Sequence, residues 1–170
     1  DHRHGKFHLP AAEAFLKARL PMFIDKPFCY RLAEGKRFCA RAEKLGVIPM
    51  CGMEYEWFNF AETPQSWADK KGVGPTTITP GMFGYSLLRA NANREFFAAL
   101  MTEMGDFGVP IEGLHTETGP GVYEAALLFS EALEAADRAI LFKTGAKEIG
   151  SRFGIMPSFM AKWNQHLPGC

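Results

Sequence analysis

Glu112-Gly-Leu-His-Thr-Glu-Thr-Gly-Pro-Gly-Val-Tyr-Glu124 sets acids and a histidine into otherwise apolar, strand-like sequence. Between Glu117 and Glu124 lies Thr-Gly-Pro-Gly, a strong turn signal, so two short strands can fold back and bring the two carboxylates together. A second stretch, Met53-Glu-Tyr-Glu-Trp-Phe58, repeats the theme upstream. Residues two apart on a strand point to the same face, so Glu54 and Glu56 project together. Carboxylates that converge in apolar surroundings need a cation or protons to hold them. Four such acids, with His115 beside them, suit a hard divalent cation such as Mg²⁺ or Mn²⁺. Taken alone, Glu54 and Glu56 read first as a solvent-facing strand edge, and Glu117 and Glu124 fit a plain surface hairpin. Phe58 and Phe60, on the same face as Glu54 and Glu56, argue against simple exposure.

Outward from these stretches, the pattern predicts a strand over Val47 to Phe60, with Met53, Tyr55 and Trp57 turned to the core. Strands are expected over Val109 to Glu117 and Val122 to about Leu128. Helical composition is found over Ala11 to Leu20, Lys36 to Leu45 and Asn93 to Phe107. Gly46 fits the C′ position of the second of these. Ser130 is expected to cap a longer helix to about Phe153, with Leu133, Ala136, Ala139, Ile140 and Phe142 on its apolar face. Gly145 and Gly150 weaken the second half of that helix. A last apolar strand is read over Ile155 to Trp163. Ala61 to Gly84 is a long loop rich in Pro and Gly, of the kind that often serves function, with no chemistry assigned to it. At the start, His2, His4 and His8 could bind metal in an extended segment, but are expected first as part of a solvated terminus.

Hydrophobic residues make up 47% and aromatics 13% of 170 residues, which excludes a disordered chain. Lys plus Arg equals Asp plus Glu at 19 each, so no net field points to nucleic acid or an anionic membrane. No apolar run approaches the ~20 residues of a membrane span. Cys29, Cys39, Cys51 and Cys170 show no metal spacing, and are expected as reduced thiols of a cytoplasmic protein. The missing initiator Met and the abrupt Pro-Gly-Cys end suggest a piece of a longer chain.

The Glu-x-Glu strand, the Glu-(x)2-His-Thr-Glu-turn-Glu element and the later Gly154-Ile-Met-Pro-Ser-Phe-Met-Ala-Lys162 together resemble the catalytic domain of glutamine synthetase. The likeness runs from about Arg41 to Cys170, with three motifs in family order. It implies an α+β fold, an antiparallel sheet backed by helices, with residues 36–170 as the N-terminal part of the catalytic domain. Arg3-His-Gly-Lys-Phe7 resembles a stretch of the family's N-terminal β-grasp domain, so residues 1–35 are expected to be a remnant of that region and its connection. Far more chain lies there in the family.

By this resemblance Glu56, Glu117 and Glu124 are ligands of a first metal and Glu54 of a second. His115 lines the site. Glu112 matches a nucleotide-contacting glutamate. Phe129 lies by the nucleotide, although a core position suits it equally. Lys162 matches a lysine before the family's nucleotide loop, where Trp163 replaces the family's proline. The reaction implied is ATP-dependent ligation of ammonia to the γ-carboxylate of glutamate through γ-glutamyl phosphate. Relatives that use methylamine or putrescine, and a structural relative without chemistry, are the alternatives. Family sites lie between subunits of homo-oligomers, and the remaining ligands and arginines lie beyond the point where this chain stops, so the chain alone is expected to be inactive.

Overall fold

The computed structural model describes residues 4–170, so His2 and Arg3 lie outside the described residues. Residues 1–50 and 51–170 form two compact units. In the first, helices α1 (His8–Lys17) and α2 (Leu32–Lys44) bury Leu9, Ala12, Leu16, Phe38 and Ala42 between them. An ion pair from Arg41 to Glu13 ties the two helices at their surface. Gly46, at φ +72°, takes the left-handed position that ends α2, as the sequence predicts. His8 Nδ1 lies 2.8 Å from the Pro27 carbonyl and the His4 ring rests against Tyr30, so neither is merely solvated. Met50–Cys51 (β1) is a short strand at the boundary of this unit.

The second unit is built on a four-stranded antiparallel sheet in the order β3-β4-β2-β6. Its strands are β2 (Glu54–Phe60), β3 (Ile111–Thr116), β4 (Val122–Leu127) and β6 (Met156–Ser158). Ser130–Glu131 (β5) is a further short strand. Helices α3 (Pro64–Asp69) and α4 (Leu87–Ala92) interrupt the connection after β2, and α5 (Arg94–Asp106) and α6 (Ala132–Arg152) back the sheet. This is the antiparallel, helix-backed α+β arrangement that the sequence implies.

Period-two alternation explains which face is core. Tyr55 and Trp57 of β2 and Tyr123, Ala125 and Leu127 of β4 turn toward Phe96, Leu100 and Met104 of α5 and Phe142, Ala146 and Ile149 of α6. Trp57 is fully buried, stacked on Phe159 and edge-on to Phe142 and Tyr123. Burying each such side chain contributes about 1.5–3 kcal/mol. The opposite face carries the acids at one end and a second apolar cluster, Phe58, Phe60 and Val122 with Met156 and Trp163, at the other.

Several expected boundaries and faces differ in the structure. The strand expected from Val47 breaks at Gly52–Met53, so β2 begins at Glu54. Ser130 does not cap α6. It is extended within β5, its Oγ buried without a partner, and Glu131 is the cap residue with no side-chain cap bond. On α6, Leu133, Ala136 and Ile140 are exposed, whereas Ala135, Ala139, Phe142, Ala146 and Ile149 face inward. Phe142 and Ile149 fill that face, and small residues stand between them where α6 lies close to its neighbours. A Cβ on Gly145 would stand 2.5 Å from Met104 Sδ, and one on Gly150 would stand 2.7 Å from the Pro157 ring. The two glycines are packing contacts rather than weak points. After Ser158 the chain leaves the ladder: Phe159 packs on Trp57 and Tyr55, and Trp163 covers Phe58 and Phe60. Lys143 and Lys147 place their ammonium groups over the Phe159 ring.

Candidate metal centre

Antiparallel pairing dictates where the acids meet. Glu56 stands directly opposite Glu124 in the β2–β4 ladder, and His115 stands opposite Glu124 in the β3–β4 ladder. His115, Glu124 and Glu56 therefore form one row across three strands on the face away from the core. Glu54, two residues from Glu56, is opposite Ala126 in the next row. Glu117 follows β3 at the start of the turn, where its N–H donates to the Val122 carbonyl at 2.9 Å. One ligand atom each from His115, Glu117 and Glu124 lies within 4.8 Å of the others. His115 Nε2 is 3.7 Å from Glu124 Oε2. The structure thus brings together Glu54, Glu56, Glu117, Glu124 and His115.

The electrostatics are those of crowded like charges. The Glu124 carboxyl is pushed from its ordinary 4.5 to about 7. The cause is first a hydrogen bond with Glu54, which a protonated Glu124 donates, then burial, then the charges of Glu54, Glu56 and Glu117. Glu117 goes the other way. Burial would raise it, but the Thr118 amide and hydroxyl, the Tyr85 hydroxyl and His115 hold it below the ordinary carboxylate range. Glu117 in turn raises the Tyr85 hydroxyl above its ordinary range. One oxygen of Glu117, Oε2, is buried without a hydrogen-bond partner in the protein. A buried carboxylate oxygen lacking a donor, beside a carboxyl that retains its proton, fits a cation better than it fits an empty polar surface.

Glu112, Phe129 and Lys162 do not belong to this cluster. Glu112 sits at an irregularity of the β3–β4 ladder between Ile111 and Gly113, and is exposed. Phe129 is more than half exposed, so it is not the core residue that the sequence leaves open. Lys162 is exposed in the segment after β6. Tyr85 is a site residue that the sequence reading did not single out. Its ring lies 4.6 Å from that of His115, and its backbone is left-handed at φ 52°. The signal was its place at the end of Pro80-Gly-Met-Phe-Gly-Tyr85, directly after the long Pro- and Gly-rich loop. Gly84 permits the approach, since a Cβ there would stand 3.0 Å from the Thr118 N.

A mixed sheet-and-helix unit with this acidic row has clear relatives. The catalytic-domain model of glutamine synthetase matches residues 33–170, and the chain belongs to the glutamine synthetase family. Among curated proteins, "Type-1 glutamine synthetase 2" of Dictyostelium discoideum is 59% identical over 144 residues, 85% of this chain and 27% of the relative. "Glutamate--isopropylamine ligase" of a Pseudomonas species is 30% identical over 122 residues, 72% of this chain and 27% of the relative. A solved structure described as a "GmaS/ADP complex" superposes with a TM-score of 0.63 at 26% identity, covering 79% of this chain and 30% of that one. The chain therefore spans about a quarter of the length of the curated relatives it matches. No helix among the described residues is long and apolar enough to cross a membrane.

Proposed function

We propose that this chain is the metal-holding part of an ATP-dependent carbon–nitrogen ligase that joins ammonia to the γ-carboxylate of glutamate through γ-glutamyl phosphate, giving glutamine. The observation that carries the reading is the row His115–Glu124–Glu56 with the unpartnered Glu117 Oε2 beside it. Glu56, Glu117 and Glu124 would hold one Mg²⁺ or Mn²⁺, and Glu54 would help to hold a second. Bound cations neutralise charge on a transferring phosphoryl group and orient the reactants.

The remaining roles fall to this chain's own residues. Tyr85 and the Thr118 amide and hydroxyl keep Glu117 ionised and ready to bind. Glu124 would bind a cation in its ionised form. The exposed Glu112, Phe129 and Lys162 are proposed to meet ATP. Residues 36–170 are read as the N-terminal part of the catalytic domain and residues 1–35 as a remnant of the N-terminal region. The full-length protein is read as a cytoplasmic homo-oligomer, and the chain alone as inactive.

Likeness to a glutamate–isopropylamine ligase supports a second reading, in which the acceptor is methylamine, putrescine or another small amine. The 59% identity to a glutamine synthetase favours ammonia. The test is glutamate-dependent ADP release by the full-length protein with each amine in turn, in the parent and in Glu117→Ala. Turnover with ammonia that Glu117→Ala abolishes supports the proposal. Preference for another amine moves it to the second reading. Undiminished turnover in the variant overturns the assignment of the site.

A further inference from the structure

Apart from Tyr85, the long connection from Ala61 to Ser86 has no part in the chemistry above, yet it is tied to the acidic hairpin at both ends of the turn. It starts from a buried carboxylate. Glu62 accepts hydrogen bonds from the Ser66 hydroxyl at 2.6 Å and the Thr76 amide at 2.8 Å, and pairs with Lys70. Lys70 Nζ also donates to Thr76 Oγ1 at 2.8 Å. With Thr76 anchored, the chain runs along the end of β2. The Ala61 amide donates to the Thr76 carbonyl, Phe60 bridges Thr77, and the Ile78 amide donates to the Asn59 carbonyl.

Thr79 comes next. It is 3% exposed, and its Oγ1 accepts from the Gly121 amide at 3.0 Å. The Gly121 carbonyl accepts from both the backbone and the side-chain amide of Asn59. A few residues on, the Tyr85 amide donates to the Thr116 carbonyl at 2.6 Å and the Ser86 amide to Thr116 Oγ1 at 2.9 Å. The hairpin is thus gripped at Thr116, just before Glu117, and at Gly121, just before the strand that carries Glu124.

We propose that residues 76–86 are a brace that fixes the separation of Glu117 and Glu124, with Thr79 as its positioning residue. The proposal rests on the metal-binding reading of those acids. A turn of Gly-Pro-Gly has little side-chain packing of its own to hold it. Its backbone groups are held instead by Asn59 and Thr79. Without the Thr79 hydroxyl the Gly121 amide loses its acceptor in a buried place. The turn is then free to shift, and the two carboxylates no longer present a fixed pair of ligands.

The test uses the full-length protein with Thr79→Val, which keeps the shape and removes the acceptor, and Thr79→Ser, which keeps the acceptor. Mn²⁺ affinity is measured by titration, alongside the thermal midpoint without metal. The Val variant should bind Mn²⁺ about tenfold more weakly, the size of effect expected for a residue that orients ligands from behind. The Ser variant should bind close to the parent. A Val variant with a lowered midpoint but parental Mn²⁺ affinity overturns the proposal, since Thr79 is then only a packing residue. If Thr79→Val does not fold, Thr116→Val removes the acceptor at the other end of the brace. Weakened Mn²⁺ binding there supports the proposal, and unchanged affinity overturns it. A parent protein without saturable Mn²⁺ binding refutes the metal reading itself, and the brace with it.

Discussion

Replacing Glu124 by Gln removes one charge from the site face at nearly constant size, and its consequences with and without metal have opposite signs. In the metal-free protein the Glu124 carboxyl titrates at about 7 rather than 4.5. The folded state holds this proton more tightly than the unfolded chain does. The stability so gained is complete below about 4.5 and is lost as the pH rises through about 7. At face value the displacement corresponds to about 3 kcal/mol at about 1.36 kcal/mol per tenfold change. The Glu124 side chain is 12% exposed and its His115 neighbour 35%, so solvent screening reduces this to about 1–2 kcal/mol. Gln is always neutral, and its amide can donate to Glu54 as the protonated acid does. In EDTA, Glu124→Gln should therefore be more stable than the parent by about 1–2 kcal/mol near pH 8, and nearly equal to it near pH 4. With Mn²⁺ at about a hundred times its dissociation constant the parent gains about 2.7 kcal/mol, and the variant much less, so the order inverts. Urea denaturation of both proteins, with EDTA and with Mn²⁺, reads all four values. A variant that is less stable than the parent in EDTA near pH 8 would refute the reasoning, because the acids would then not be repelling one another.

Other consequences follow from single contacts. Gly121→Ala should destabilise by about 3 kcal/mol or more. Gly121 has φ +73° and its new Cβ would stand 2.4 Å from the Asn59 carbonyl oxygen, so a parental urea midpoint would contradict the turn geometry. Glu62, held at about 2 by Lys70 first and then by the Ser66 hydroxyl and the Thr76 amide, contributes stability above 4.5 that is lost as the pH falls toward about 2. Glu62→Gln should flatten this acid limb in a thermal-midpoint profile, and an unchanged profile would show that the buried ion pair is not formed.

The parts of the site that were legible in the sequence are those set by local rules. Thr-Gly-Pro-Gly can hardly be other than a turn, and alternation in β2 and β4 puts Glu54, Glu56 and Glu124 on one face. His115 meets Glu124 across the local hairpin, but the register that sets Glu56 against Glu124 depends on pairing across more than sixty residues, which the family likeness supplies and the local pattern does not. Face choice on α6 was illegible for another reason. Leu133 and Ile140 are as apolar as the buried Phe142 and Ile149, but the close approach of Met104 and Pro157 fixes the buried face as the one that carries Gly145 and Gly150. Glu62, Asn59 and Thr79 read as ordinary loop and strand polar residues. Their partners lie at Thr76, Gly121 and Trp57, and burial becomes evident only when the connection folds back on β2.

The most direct test of the account is a Mn²⁺ titration of the full-length parent and of Glu117→Ala, read as the shift in thermal midpoint. The account predicts a saturable rise in the parent and its loss in the variant, since Glu117 supplies the buried oxygen that has no partner in the protein. An equal, saturable rise in both proteins, or none in either, would contradict the claim that the acidic row is a metal centre.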